Sequence, residues 1–324
     1  MNKKIVWRGA LLVAALLALL TFFMLRAPSA GKLEQAAASR QVIDAAGRTV
    51  EVPQQPLRVL ALGEFDFDSL LALGVQPIGT TNGRGQAGVP NYLREQARHI
   101  PSVGAFSQPN MDKIIAAQPD LIVTSVIRDP QIIAQLQRIA PTLVTTSLGA
   151  DWKTALNQIS VLLGKEAAAQ QYFAQYQTRI QALRAQITPA QTISIVRWDP
   201  KGPGFMFKDA FASLIVQDLG LKRPAAQMQA GANHSKPLSL EALREIDADW
   251  LFIGTLSPEG DAAKTLNEVQ NAPAFKNLQV VKNQRVRIID GSLWTSTGGP
   301  LAAMAVLDDV EKNLRTPHLA SVQR

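Results

Sequence analysis

The sequence contains no cysteine, and that one absence removes several chemistries. Disulfides, thiolate metal sites, iron–sulfur clusters and a cysteine nucleophile are excluded, as is the cysteine through which many bacterial surface receptors attach to lipid. Histidine is nearly as scarce. His99, His234 and His318 stand far apart without paired ligand spacing, so no directly held zinc or manganese ion is expected. Neither a Gly-x-Ser-x-Gly elbow nor a Walker loop occurs. The run Gly83-Arg84-Gly85-Gln86-Ala87-Gly88 has the spacing of a dinucleotide fingerprint. It lies well past its strand, however, and Pro90 occupies the place where a phosphate-binding helix would begin.

A strong charge is also missing once the first residues are set aside. Lys3, Lys4 and Arg8 precede an uncharged stretch of 17 residues, 9–25, which is closed by Arg26 and Ala27-Pro28-Ser29-Ala30. This pattern reads as an export signal, either cleaved near Ala30 or kept as a membrane anchor. In both cases the positive start stays in the cytoplasm and the remainder crosses the membrane, which places the body of the protein in the periplasm. Of the 33 basic residues four lie in this segment, leaving 29 against 26 acidic ones, a balance of +3. So mild an excess does not call for a nucleic-acid partner.

What the sequence does have is length and apolar content. At 324 residues and 47% hydrophobic, it suits two domains with real cores. After a polar tether at 31–41, residues 42–52 alternate like a small hairpin around Ala46-Gly47-Arg48. From Arg58 the pattern is strand 58–62, helix 67–73, strand 75–80, a loop, helix 111–118, strand 120–125, helix 130–139 and strand 142–147. A second series follows, with a strand at 192–197, a helix ending at Leu219-Gly220, a helix at 240–246 and strands at 250–254 and 286–290. Alternating strands and helices imply parallel sheets. The series look duplicated: Met111-Asp112-Lys113-Ile114 before Asp120 matches Leu240-Glu241-Ala242-Leu243 before Asp249, and the acid leads the aspartate by eight residues in both. Between them, residues 152–187 have high helix propensity, with Tyr172, Tyr176, Ile180, Leu183 and Ile187 at helical spacing. The expected fold class is therefore α/β: two lobes, each a mostly parallel sheet flanked by helices, joined by one long connecting helix that permits only modest opening. The expected divisions are 1–30 for the export segment, 31–150 for the N-terminal lobe, 151–188 for the connecting helix and 189–324 for the C-terminal lobe.

In open parallel sheets ligands bind beyond the carboxyl ends of the strands, so the loops there carry the chemistry. Those loops hold Glu64 and Asp66, Arg84, Arg128 and Trp152 in the first half, and Arg197, Trp198, Lys201, His234, Lys236 and Trp294 in the second. Guanidinium forks grip carboxylate or catecholate oxygens, and indoles offer broad rigid contact, so an anionic, aromatic or metal-chelated small molecule fits this set. An enzyme of the dehydrogenase kind would need a phosphate loop after its first strand, where Gly63-Glu64-Phe65-Asp66 stands instead. Thr297-Gly298-Gly299-Pro300 reads as a helix cap with Pro300 at the first helical position, or as an anion site.

Several segments resemble a known family. Residues 56–62 (PLRVLAL), 70–79 (LLALGVQPIG), Val103-Gly104, 109–112 (PNMD), 118–122 (QPDLI), 139–142 (IAPT), 218–221 (DLGL) and Trp294 together are similar to the periplasmic siderophore-binding proteins, whose superfamily also holds cobalamin and haem carriers. The likeness runs over roughly residues 42–314. It implies a non-catalytic substrate-binding component of an ABC importer that captures a ferric siderophore in the periplasm and hands it to an inner-membrane permease with its ATPase. A monomer is expected, with no cofactor, iron being bound only as a siderophore chelate. The resemblance further implies docking through one acid on each lobe, at Asp112 and Glu241. It places a ligand-contacting tryptophan at Trp294 and loop aromatics near Arg128 and near Asn233 and His234. Phe106 falls where the ferric hydroxamate branch carries an arginine, while Arg84, Arg128 and Arg197 stand at other loops, which leans towards an anionic catecholate or carboxylate siderophore. A haem carrier would need an axial ligand, for which only His234 and Tyr92 are available.

Overall fold

A computed structural model of the chain describes residues 38–188 and 190–314. The export segment 1–30 lies outside the described residues. Among these, no helix is long and apolar enough to cross a membrane.

The strands are β1 (Ser39–Ile43), β2 (Thr49–Pro53), β3 (Val59–Ala61), β4 (Gly79–Thr80), β5 (Gly104–Ala105), β6 (Gln108–Pro109), β7 (Leu121–Thr124), β8 (Thr142–Val144), β9 (Ile193–Asp199), β10 (Gly202–Phe205), β11 (Trp250–Gly254) and β12 (Val286–Ile288). The longer helices are α1 (Glu64–Ala72), α2 (Met111–Ala117), α3 (Pro130–Gln137), α4 (Trp152–Leu163), α5 (Glu166–Arg184), α6 (Phe211–Asp218), α7 (Asp261–Val269) and α8 (Pro300–Leu314). Two four-stranded sheets result, in the orders β4-β3-β7-β8 and β10-β9-β11-β12. The first is parallel throughout, whereas β10 folds back on β9 as an antiparallel edge.

The duplication seen in the sequence is real in three strands. β3, β7 and β8 correspond to β9, β11 and β12, and the matched aspartates do the same work in each half. Asp120 accepts the backbone N–H groups of Leu57 and Arg58 ahead of β3, and Asp249 accepts the N–H and hydroxyl of Thr192 ahead of β9. Each carboxylate thereby ties the start of one strand to the start of its neighbour.

Side chains alternate across the strands, so each sheet has two covered faces. The outer face of the first sheet gathers Leu60, Leu62, Ile114, Ile122, Leu136 and Val144, and that of the second gathers Val196, Trp198, Phe205, Leu251 and Ile253. The inner faces meet one continuous core. It runs from Val59, Phe67 and Leu70 through Leu156, Ile159, Tyr176 and Ile180 to Ile195, Phe252, Val306 and Leu307. α8 belongs to this central layer, packing on α1, α4, α5 and α6.

The connecting segment is two helices where one was expected. Gly164 adopts φ +64°, and its N–H returns to Ser160 and Val161 while Lys165 bonds Ser160, an ending that only a residue at ease in the left-handed region makes cheaply. α5 then runs 19 residues, about 28 Å at 1.5 Å per residue. The helix expected at 240–246 is a 3₁₀ helix, Leu240–Ile246, with Leu243 and Ile246 buried three residues apart as that winding requires.

Candidate ligand cleft between the lobes

A cavity of about 390 Å³ lies between the lobes at the carboxyl ends of the strands. The first lobe contributes Phe65, Val126 and Arg128, α4 contributes Trp152, and the second lobe contributes Phe211 and the Ser296–Thr297–Gly298 loop. A smaller recess of about 70 Å³ shares Phe65, Val126, Ser296 and Thr297 and adds Glu64, Asn82, Arg84 and Phe106. Of the residues expected from sequence, Arg84, Phe106 and Arg128 are thus brought together. Phe106 stands at the tip of the β5–β6 hairpin and is 38% exposed. Arg128 follows β7 and is oriented by the carbonyls of Thr146 and Ser125. Arg84 is exposed on the loop after β4.

The other expected ligand residues sit elsewhere, each for a local reason. β9 extends to Asp199, so Trp198 is a strand residue and not a loop residue. Two positions on from Val196, it faces the outer core, with its indole N–H on Thr265 of α7 at 2.9 Å. Trp294 is fully buried, edge-on to Phe252 at 4.8 Å, and donates its indole N–H to Asp309 at 2.8 Å. Arg197, 6% exposed, lies behind the cleft with its guanidinium on the hydroxyl and carbonyl of Thr295, so it braces the Ser296–Thr297 loop. Burial and the neighbouring Arg84 lower its pKa, with Asp199 opposing. His234 bonds the carbonyl of Ser235 and does not line the cavity. Tyr92 is occupied as a donor to Asp68 at 2.8 Å. Neither residue therefore offers an axial ligand to a haem in this cleft.

Ser296 and the part played by Asp68 were not foreseen, whereas Trp152, Glu64 and Asp66 are among the loop residues expected from sequence. Trp152 and Ser296 line the cavity with an indole N–H and a hydroxyl that find no partner among the described residues. Asp68, wholly buried on α1, accepts the N–H groups of Leu301 and Ala302 at 2.7 and 2.8 Å. The Thr297–Pro300 helix start is therefore an anion site filled by the protein's own carboxylate. Burial pushes Asp68 up to about 6 even though these two N–H groups and Tyr92 favour its charge. Glu64, at the first turn of α1, is likewise pushed up to about 7 by burial, with Asp68 and Asp290 adding to the rise and Arg84 opposing it. Asp66 is raised by burial too, against hydrogen bonds from Thr145 and Ser125.

Asp112 and Glu241 are exposed in the first turns of the helices that precede β7 and β11. The Ser239 hydroxyl beside Glu241 holds its carboxyl below the usual range.

Comparison with known proteins agrees with this architecture. A family model described as periplasmic binding protein matches residues 59–293. A probable siderophore-binding lipoprotein, YfiY, of Bacillus subtilis is 30% identical over 284 residues, covering 84% of this chain and 87% of its own. The achromobactin-binding periplasmic protein of Dickeya dadantii is 26% identical over 264 residues, covering 79% of this chain and 86% of its own. The crystal structure of Staphylococcus aureus SirA complexed with staphyloferrin B superposes with a TM-score of 0.72 at 26% identity, covering 85% of this chain and 98% of SirA. Matched over most of its length by that family model, and built as two α/β lobes around one cleft, the chain belongs to the periplasmic binding protein family.

Proposed function

We propose that this protein is the substrate-binding component of an ABC importer, capturing a ferric siderophore in the periplasm and delivering it to an inner-membrane permease and its ATPase. The observation that carries the reading is the cleft itself. Arg84 and Arg128 stand on one wall, among the apolar faces of Phe65, Phe106, Trp152 and Phe211, in a chain similar to proteins that bind siderophores. Guanidinium groups on an aromatic, water-excluding wall suit a bulky anionic chelate, because each charge-assisted bond gains where solvent is displaced. Iron is cargo within its chelate, no resident cofactor takes part, no bond is made or broken, and the protein works as a monomer. Asp112 and Glu241, each exposed in the first turn of a helix on its own lobe, are the acids that dock on the permease.

Titration of the purified protein with ferric citrate, a ferric catecholate, a ferric hydroxamate, haem and cobalamin tests the reading, with Trp152 as the indole inside the cleft. Quenching by an anionic ferric chelate at micromolar concentration is expected, weakened at least tenfold in Arg84→Ala and Arg128→Ala. Absence of binding by every iron chelate would overturn it. Reversal of both docking acids, Asp112→Lys with Glu241→Lys, is expected to abolish uptake by cells and leave chelate affinity unchanged.

A further inference from the structure

Glu64 is out of place in a cleft that collects anions. Its carboxyl lines the inner recess beside Arg84, Phe106 and Val126, and it is the one acidic side chain there. One oxygen accepts the Arg84 N–H at 3.1 Å, and the other has no partner among the described residues. The groups around it are mostly of its own sign. Asp68 lies one turn along the same helix, Asp290 caps a short helix of the second lobe, and Tyr92 is held by Asp68. Arg84 is the cation that faces it, and Arg197 stands beyond Arg84. Asp66, two residues on, turns away to Ser125 and Thr145. An ionised Glu64 would oppose an anionic ligand in this recess, whereas its neutral form would offer an O–H.

We infer that Glu64 receives the chelate as a neutral acid, donating a hydrogen bond to an anionic oxygen of the ligand, so that capture takes up one proton from solvent. The inference rests on the function proposed above and adds the proton linkage to it. The balance is simple: one solvent proton joins the Glu64 carboxylate, and no other bond changes. The sign follows from the same geometry. Burial already brings the carboxyl up to about 7, so little uptake is needed in acid, and affinity falls as pH rises past that value. With the bound form kept neutral, affinity at pH 8.5 is roughly 30-fold weaker than at pH 6.

The probes are ferric citrate and ferric staphyloferrin B, titrated from pH 6 to pH 8.5 into wild type and Glu64→Gln, whose amide is uncharged and retains a donor. Wild type is expected to lose roughly 30-fold more affinity over this range than the variant, which cancels any titration of the ligand itself. Calorimetry of wild type alone at pH 8, in two buffers of different ionisation enthalpy, provides a check that needs no variant, with uptake approaching one proton expected. Parallel pH profiles, or no proton uptake, overturn this inference and leave the siderophore reading intact. Failure of wild type to bind either chelate at any pH overturns both.

Discussion

Trp294→Phe separates a ligand-contacting tryptophan from a core one. The residue is fully buried, its ring meets Phe252, and its N–H ends on Asp309. Phenylalanine retains most of the ring contact and removes the N–H, leaving a half-buried carboxylate short of a donor. A hydrogen bond to a charged group is worth about 1.5–3 kcal/mol, and the smaller ring adds about 1 kcal/mol of lost packing. The expected loss is then about 3 kcal/mol. At 2–4 °C per kcal/mol for a domain of this size, Tm falls by roughly 6–12 °C. The pH dependence supplies a second signature. Burial raises the Asp309 pKa and the Trp294 bond opposes that rise, so removing the bond raises it further. A raised acid is neutral at lower pH, where the lost charge-assisted bond matters least, so the deficit in Tm is expected to shrink on acidification. Differential scanning calorimetry at two pH values, beside chelate titration, measures both. An unchanged Tm with a tenfold loss of affinity would refute the reasoning and return Trp294 to the ligand.

Three further outcomes follow from buried groups and one turn. Asp68→Ala leaves the N–H groups of Leu301 and Ala302 and the Tyr92 hydroxyl without their acceptor, and at about 1–3 kcal/mol each the variant is expected to unfold at least about 6 °C earlier by calorimetry. Gly164→Ala meets no neighbour within 4 Å, so its cost is backbone alone, about 1–2 kcal/mol for an L residue at φ +64°, read as a shift in urea midpoint without a change in slope. Burial alone would raise the Asp44 pKa, but hydrogen bonds from Arg48 and the Val144 N–H bring it below the usual range. Its folded pKa being depressed, Asp44 stabilises the protein above the ordinary carboxylate range and ceases to do so as pH falls through the folded value. Denaturation of Asp44→Asn is therefore expected to show a deficit at pH 7 that closes towards pH 3.

The sheets were legible because their determinants are local. Apolar runs such as 120–125 and 250–254 gave β7 and β11, and the repeated acid and aspartate marked the duplication before any strand was paired. What failed was parity and distance. Trp198 reads as a loop residue when the strand ends at 197, but β9 runs to Asp199, and counting in twos from Val196 turns Trp198 outward. The break at Gly164 was visible as a glycine but not as a left-handed one. Arg84 and Arg128 were found because each follows a strand of the parallel sheet. Arg197 was expected by the same rule, but it lies within β9, and Thr295, 98 positions away, takes its guanidinium. The partnership of Asp68 with Leu301 spans 233 positions, and no periodicity carries such information.

The continuous core beneath the cleft bears on how cargo leaves it. Because α8 and the two connecting helices bury one apolar surface common to both sheets, parting the lobes wets carbon that is now dry. At about 25 cal/mol per Å², every 100 Å² so exposed costs about 2.5 kcal/mol. Thermal motion alone reaches such a state seldom, so anything that separates the lobes must supply work against the protein's own interior.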